Sequence, residues 1–134
     1  MAKKGLKLTL ADLLKKKEQR ERDKVEYKSV FVENLGGELE VKKLPLADFL
    51  DLIGDINDQT GAGESLRIQM DMIYECCPLL HSKELQEAYD CVEPTDIVSK
   101  VFDDNLTDIM AVVAAIFEFY GMDSEDIVGE LKNA

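Results

Sequence analysis

The sequence predicts a mainly α-helical (α+β) domain of about five to six helices, with one β-hairpin near its amino terminus. Apolar residues recur at helical spacing through most of the chain after residue 45. An alternating segment containing two glycines precedes them. Strands do not alternate with helices, as a parallel sheet would require. With 134 residues, 46% of them hydrophobic and 33% charged, the chain suits one domain with a real core.

The charge is unevenly distributed, which predicts a basic helical arm at residues 1–24 and an acidic helical domain at 25–134. The arm has nine Lys or Arg and four acidic residues, for a net charge of +5. The domain has seven Lys or Arg and 24 acidic residues, for a net charge of −17. An acidic domain repels phosphate backbones, so we expect no nucleic-acid partner for it. The charge of the arm fits binding to a nucleic acid or an acidic partner, or else a solvated helix face.

Within the arm, Thr9 is the expected N-cap of a helix, with Asp12 three residues later. Leu10, Leu13 and Leu14 form a short apolar stripe, and the ten residues after Leu14 contain no apolar side chain. A segment that is polar all round buries no face, so the order of this part is left open. The stripe is the candidate partner-binding site. The alternative is that its leucines fold back onto the domain.

A β-hairpin is predicted at residues 25–43. The expected strands cover 25–34 and 38–43. The positions that share one face of the first strand are Val25, Tyr27 and Phe31. Gly36 and Gly37 are expected to provide the positive-φ conformations that a hairpin connection often requires. Two strands alone are marginal in water, so helices must cover one face, and the outer edges could accept an added strand.

Further helices are expected to begin near Pro45, Glu64, Ser82, Pro94, Thr107 and Asp123. The expected apolar stripe of the first comprises Leu46, Phe49, Leu50, Ile53 and Ile56. That of the second comprises Leu66, Met70, Ile73, Tyr74 and Cys77. The segment after Thr107 is apolar nearly all round, so it is the expected central buried helix, with Gly121 as its stop.

The stretch "YECCPLLHSKEL" contains Cys76, Cys77 and His81, the only histidine. Zinc ligands usually come in pairs such as C-x₂-C, and adjacent cysteines on a helix point about 100° apart. A redox pair usually lies at a helix start, whereas these residues lie at a helix end. We therefore predict buried structural cysteines in a helical corner, with His81 in a capping or surface role. The third cysteine, Cys91, makes the number odd, which argues against a disulfide framework.

No catalytic or cofactor motif appears. The stretch "DINDQTGAGESL" begins like a calcium loop, but Thr60 replaces its glycine and Leu66 its bidentate glutamate. Paired carboxylates lack a neighbouring His or Lys for acid–base work. We expect no enzyme, no cofactor and no metal. The sequence shows neither a bilayer-length apolar run nor a secretory signal, which predicts a cytoplasmic protein that does not enter a membrane.

Taken together, the segments resemble the XkdN-like tail assembly chaperones of phages and phage-derived tail particles. The resemblance covers most of the chain and rests on "LTLADLLKKKEQRERDK", "LGGELEVKKL", "MIYECCPLLHSKELQEAY" and "EPTDIVSKVFD", in that order. It implies a protein that binds the tape-measure protein in the host cytoplasm and assists tail-tube assembly, with the tail-tube protein as a second partner. It also implies absence from the mature particle.

A rival interpretation rests on the −17 domain: an acidic regulatory module or mimic that occupies a basic partner surface. Such binding should weaken strongly with salt, whereas binding of an apolar client should weaken little. Exposed hairpin edges also leave homo-oligomerisation open.

Overall fold

The computed structural model describes residues 7–22 and 27–122. It confirms a mainly helical fold with one hairpin near the amino terminus. In chain order the elements are α1 (Leu10–Arg22), β1 (Tyr27–Val32), β2 (Gly37–Lys42), α2 (Leu46–Ile53), α3 (Ala62–Cys76), α4 (Lys83–Ala88), α5 (Asp96–Phe102) and α6 (Leu106–Glu118). No helix in the described part of the chain is long and apolar enough to cross a bilayer. The helix expected from Asp123 onward lies outside the described residues.

The strands β1 and β2 pair antiparallel, with Val30 opposite Leu39 and Phe31 opposite Glu38. A 3₁₀ turn over Glu33–Leu35 connects them. Only Gly36 then takes a positive φ, of 70°, because Gly37 already begins β2 as extended chain. The predicted need for two positive-φ glycines was therefore wrong.

The face of β1 that carries Tyr27 and Phe31 is not the buried one. Val30 and Val32 lie in the core, whereas Tyr27 and Phe31 remain 50% and 60% exposed. The segment "YKSVFV" has apolar residues at both parities, so alternation alone does not fix its inner face. The inner face is set by β2, where Leu39 and Val41 have charged neighbours and are both buried. Val25 lies outside the described residues.

The hydrophobic core forms around α6, which packs against α3, β1 and β2. The helices α2 and α5 also pack against α3. The fully buried large side chains include Phe49, Met72, Ile73, Leu80, Ile97, Phe102, Ile116 and Phe117. The prediction of a central buried helix near the carboxyl end of the chain is thus confirmed. Its N-cap is Asn105 rather than Thr107, because the Asn105 side chain accepts a hydrogen bond from the amide of Asp108 at 3.1 Å.

At the other end of α6, Gly121 is the predicted stop. It has a φ of 70°, and its amide donates to the carbonyl of Glu118 at 3.2 Å. The amide of Met122 donates to the carbonyl of Phe117 at 3.2 Å. This pair of bonds is a Schellman motif, which uses a left-handed residue to satisfy the last carbonyls of a helix.

Two predicted helices have different buried faces from those expected. The helix α2 ends at Ile53, three residues before Ile56, and of its expected stripe only Phe49 is fully buried. Leu46 and Leu50 are 57% and 48% exposed. On α3, which begins at Ala62, two residues before the predicted Glu64, the fully buried residues are Ser65, Gln69, Met72, Ile73 and Cys76. The expected residues Leu66, Met70 and Tyr74 are half-buried, while Ile73 and Cys77 are buried as predicted.

Candidate partner-binding site

The stretch "YECCPLLHSKEL" is the helical corner that the sequence predicts. The helix α3 ends at Cys76, a 3₁₀ turn covers Pro78–His81, and Ser82 caps α4 by accepting a hydrogen bond from Leu85 N at 3.2 Å. His81 Nε2 donates to the carbonyl of Tyr74 at 2.7 Å. The imidazole also stacks on the Tyr74 ring, with centroids 4.2 Å apart. His81 therefore helps to close the end of α3, as its predicted capping role requires.

The two adjacent cysteines are core residues. Both are 0% exposed, and burial raises the pKa of Cys76 and of Cys77 to about 12. A thiol with such a pKa is almost wholly protonated at neutral pH and is a poor nucleophile or metal ligand. Within residues 7–22 and 27–122, no three His, Cys, Asp or Glu side chains lie close enough to hold a metal ion.

The loop between α2 and α3 is held by its own polar groups. Asn57 Oδ1 accepts a hydrogen bond from Gln59 N at 2.8 Å. Thr60 Oγ1 accepts from Asn57 N and donates to the carbonyl of Asp55, both at 3.0 Å. These oxygens thus stabilise the turn between α2 and α3.

The predicted partner-binding residues lie on α1. Leu10, Leu13 and Leu14 are 75%, 55% and 52% exposed, and α1 has no buried residue. The described residues therefore leave the stripe open to solvent. Its leucines do not contribute to the core that α6 organises.

Local interactions stabilise α1, which has no buried face. Thr9 and Asp12 form the predicted cap in both directions: Thr9 N donates to Asp12 Oδ2 at 3.0 Å, and Asp12 N donates to Thr9 Oγ1 at 3.2 Å. These hydrogen bonds, first that from the Thr9 backbone, lower the pKa of Asp12. Lys17 and Glu21 form an ion pair one turn apart at 2.8 Å.

A groove of about 1400 Å³ lies beside α1. One wall is formed by Lys16, Gln19 and Arg20 of α1. The other is formed by the ends of the hairpin strands, the segment after β2 and the residues after α6. A smaller depression of about 460 Å³ is lined by Leu13 together with Lys16 and Arg20. The two depressions share Lys16 and Arg20, so the leucine stripe and the groove are neighbours.

The far wall of the groove is fixed by Tyr120. Its hydroxyl donates to the carbonyl of Leu44 at 2.7 Å and accepts from the amide of the same residue at 2.9 Å. The Tyr120 ring stacks on Phe49 with centroids 4.0 Å apart. Burial raises the pKa of the Tyr120 hydroxyl, which remains the proton donor in this bridge at neutral pH. The segment after β2 is thereby held against the end of α6.

Two lysines of this wall lie over aromatic rings. Lys43 Nζ lies 5.5 Å from the centroid of Tyr120, and Lys28 Nζ lies 5.2 Å from that of Phe119. Lys28 Nζ also pairs with Glu118 Oε2 at 2.8 Å. Rings at these distances favour a cation over their faces. The surface is therefore both apolar and positively charged.

The sequence predicted the leucine stripe but not this groove. Its residues come from four separate segments, and only the fold brings them together. The signal in the sequence is slight: Lys42 and Lys43 are the only adjacent basic residues after residue 25. No known protein family, curated protein or solved structure matches the chain.

Proposed function

We propose that this protein is a tail assembly chaperone of a phage or a phage-like tail particle. It would act in the host cytoplasm without catalysis, bind the tape-measure protein and assist assembly of the tail tube. The proposal begins from the resemblance of the chain to XkdN-like proteins. The observation that carries it further is the leucine stripe of α1, with all three side chains more than half exposed on a helix without buried residues.

A helix with this pattern is suited to helix-in-groove recognition, in which the apolar face of a helix docks into a hydrophobic groove of the partner. Leu10, Leu13 and Leu14 occupy positions i, i+3 and i+4, the spacing of one helical face. The surrounding lysines and arginines keep the unbound helix hydrated. A protein that binds a long apolar client benefits from both properties, since the first provides affinity and the second opposes self-association.

The direct test is co-expression with the tape-measure and tail-tube proteins of the same particle. Without this chain we expect the tape-measure protein to be insoluble, and with it to remain in the supernatant and co-purify. Replacement of Leu10, Leu13 and Leu14 by Gln should abolish co-purification, since Gln retains helix propensity but not the apolar face.

The matched control replaces three leucines of similar exposure elsewhere, Leu35, Leu79 and Leu106, by Gln. This control should still co-purify with the tape-measure protein. Equal loss in both variants, or an insoluble tape-measure protein in the presence of the wild-type chain, would contradict the proposal.

The acidic regulatory module is the second candidate, favoured by the net charge of −17 on residues 25–134. The two functions differ in how binding responds to salt. A pull-down in about 0.1 M and about 1 M salt spans Debye lengths of about 10 Å to 3 Å. Retention of the partner at the higher salt supports the chaperone, and release supports the acidic module.

A further inference from the structure

We infer that the groove between α1 and the end of α6 is a docking site for an acidic amphipathic helix of a protein partner. The inference concerns a different surface from the acidic exterior of residues 25–134, and it does not depend on whether the partner is a tape-measure protein. Its basis is the charge and the apolar lining that the groove combines.

The charge of the groove opposes that of the rest of the domain. Residues 25–134 carry only seven basic side chains against 24 acidic ones, and three of the seven, Lys28, Lys42 and Lys43, line this groove. The opposite wall adds Lys16 and Arg20 from α1. A single carboxylate lines the groove among the described residues, that of Glu118, and Lys28 already neutralises it. A ligand therefore meets a locally positive surface inside an acidic protein.

The lining also favours a ligand with apolar side chains. Leu46 is 57% exposed and Tyr27 is 50% exposed, and both face the groove with Phe119. Leaving such side chains in water costs about 25 cal/mol per Å² of apolar surface that could be buried. A ligand with leucine or phenylalanine on one helical face would cover them, while carboxylates on its flanks would reach the lysines.

This combination favours a protein segment over a nucleic acid. A nucleic acid would bring many phosphates, and beyond the groove it would meet the negative field of a domain with a net charge of −17. A short acidic helix places only a few charges, all within the groove. Electrostatic complementarity of this kind mainly increases specificity and the rate of association.

The test uses the full chain and a fluorescein-labelled peptide of about four helical turns. The peptide carries Leu or Phe at positions i, i+3, i+4 and i+7 and Glu at most others. Two control peptides replace every Glu by Lys, or every apolar residue by Ser. Fluorescence anisotropy should show binding of the first peptide only.

Two double variants locate the site. Lys42→Glu with Lys43→Glu should weaken binding about tenfold or more, because like charges then face each other. Lys16→Glu with Arg20→Glu should have the same effect, and it cannot unfold the core because α1 buries no residue. The matched control is Arg67→Glu with Lys83→Glu, which changes net charge equally at exposed positions outside the groove and should change binding less than about twofold.

Three outcomes would overturn the inference. The first is equal weakening by the groove variants and the control variant. The second is tighter binding of single-stranded RNA than of the acidic peptide, lost in the same groove variants. The third is binding only after truncation at Met122, which would assign the groove to residues 123–134 of the chain itself, a segment with four acidic residues and one basic residue.

Self-association provides a separate check. Sedimentation should give the same mass for the wild-type chain and the groove variants, and a dimer lost in those variants would instead assign the groove to a second copy. Failure of peptide binding with intact tape-measure co-purification would remove this inference and leave the proposed function standing. Peptide binding with loss of tape-measure co-purification would support this inference and contradict the proposed function.

Discussion

The helices α1 and α6 both contain 13 residues, yet they have opposite relations to the fold. The helix α6 buries seven residues and contacts α3 and both strands. The helix α1 buries none. The first therefore depends on tertiary packing, and the second on its cap, its ion pair and the basic residues of its last turn.

We expect this difference to separate apolar residues that stabilise the fold from apolar residues that bind a partner. Apolar side chains on α6 complete a core, so replacing them should unfold the domain. No apolar side chain on α1 is in the core of the described residues, so replacing these side chains should leave the domain folded and change only binding.

The largest effect is expected for Phe117→Ala on α6. Phe117 is 0% exposed and meets the Phe49 ring edge to face, with centroids 5.6 Å apart. Removing a buried ring leaves a cavity and should lower the free energy of unfolding by about 3–5 kcal/mol. Urea denaturation followed by circular dichroism measures this change.

The matched variant on α1 is Leu13→Ala, and it should change the same free energy by less than about 0.5 kcal/mol. A comparable loss in the two variants would mean that α1 is part of the core. It would also remove the basis for treating the leucine stripe as a binding surface.

A smaller effect is expected for Tyr120→Phe, which tests how the end of α6 holds the groove wall. The substitution keeps the ring on Phe49 but leaves the amide and carbonyl of Leu44 without their shared partner. We expect a loss of about 1–2 kcal/mol in the free energy of unfolding, since half-buried polar groups are then unpaired. The control Tyr27→Phe removes the hydroxyl of a half-exposed ring and should leave the free energy of unfolding unchanged. A neutral Tyr120→Phe would show that the bridge is dispensable.

Much of this contrast between α1 and α6 could be predicted from the sequence. The apolar run of α6, its stop at Gly121, the Thr9 cap of α1 and the corner at Ser82 all depend on local rules of spacing and capping. Each signal lies within a few residues of the feature that it specifies. The structure confirms these features at or within a few residues of their predicted positions.

The remaining features depend on residues that are distant in sequence. The inner face of β1 is chosen by pairing with β2 and by packing on α6, and Phe31 satisfies the β pattern on either face. Leu46, Phe49 and Leu50 all fit one amphipathic stripe, but only Phe49 among them is buried. Its ring contacts those of Phe117 and Tyr120, which lie about 70 residues later in the sequence. The groove likewise joins segments more than 70 residues apart in sequence, such as Lys43 and Tyr120.

A local effect is expected for Thr9→Ala on α1. Loss of an N-cap should destabilise the start of that helix by about 1 kcal/mol. The Cα chemical shifts of Leu10 to Leu14 should move toward coil values, while the thermal midpoint of the domain stays unchanged. Acid should likewise destabilise the start of α1, because the pKa of Asp12 is lowered in the folded state. The ionised Asp12 carboxylate stabilises this helix fully above the ordinary pKa of 3.8, and that stabilisation is lost as the pH falls through the lower folded pKa. A shift of the thermal midpoint of the domain in Thr9→Ala would contradict the expectation that α1 is stabilised independently of the core.

The smallest effect distinguishes a carboxylate on a packed helix from Asp12 on α1. Asp71 lies on the exposed face of α3, where partial desolvation of its carboxyl, and then the charge of Glu75 four residues later, raises its pKa. Ionised Asp71 therefore disfavours the folded state at neutral pH, and acid relieves this penalty as the pH falls through the raised folded value. Asp71→Asn should stabilise the domain at pH 7 by about 0.2–0.5 kcal/mol, the usual scale for a like-charged pair one turn apart. The gain should vanish at about pH 3, below the ordinary value of 3.8, where both states are protonated. Asp58→Asn removes the same charge from the loop before α3, so an equal gain there would assign the effect to net charge instead of to the site of Asp71.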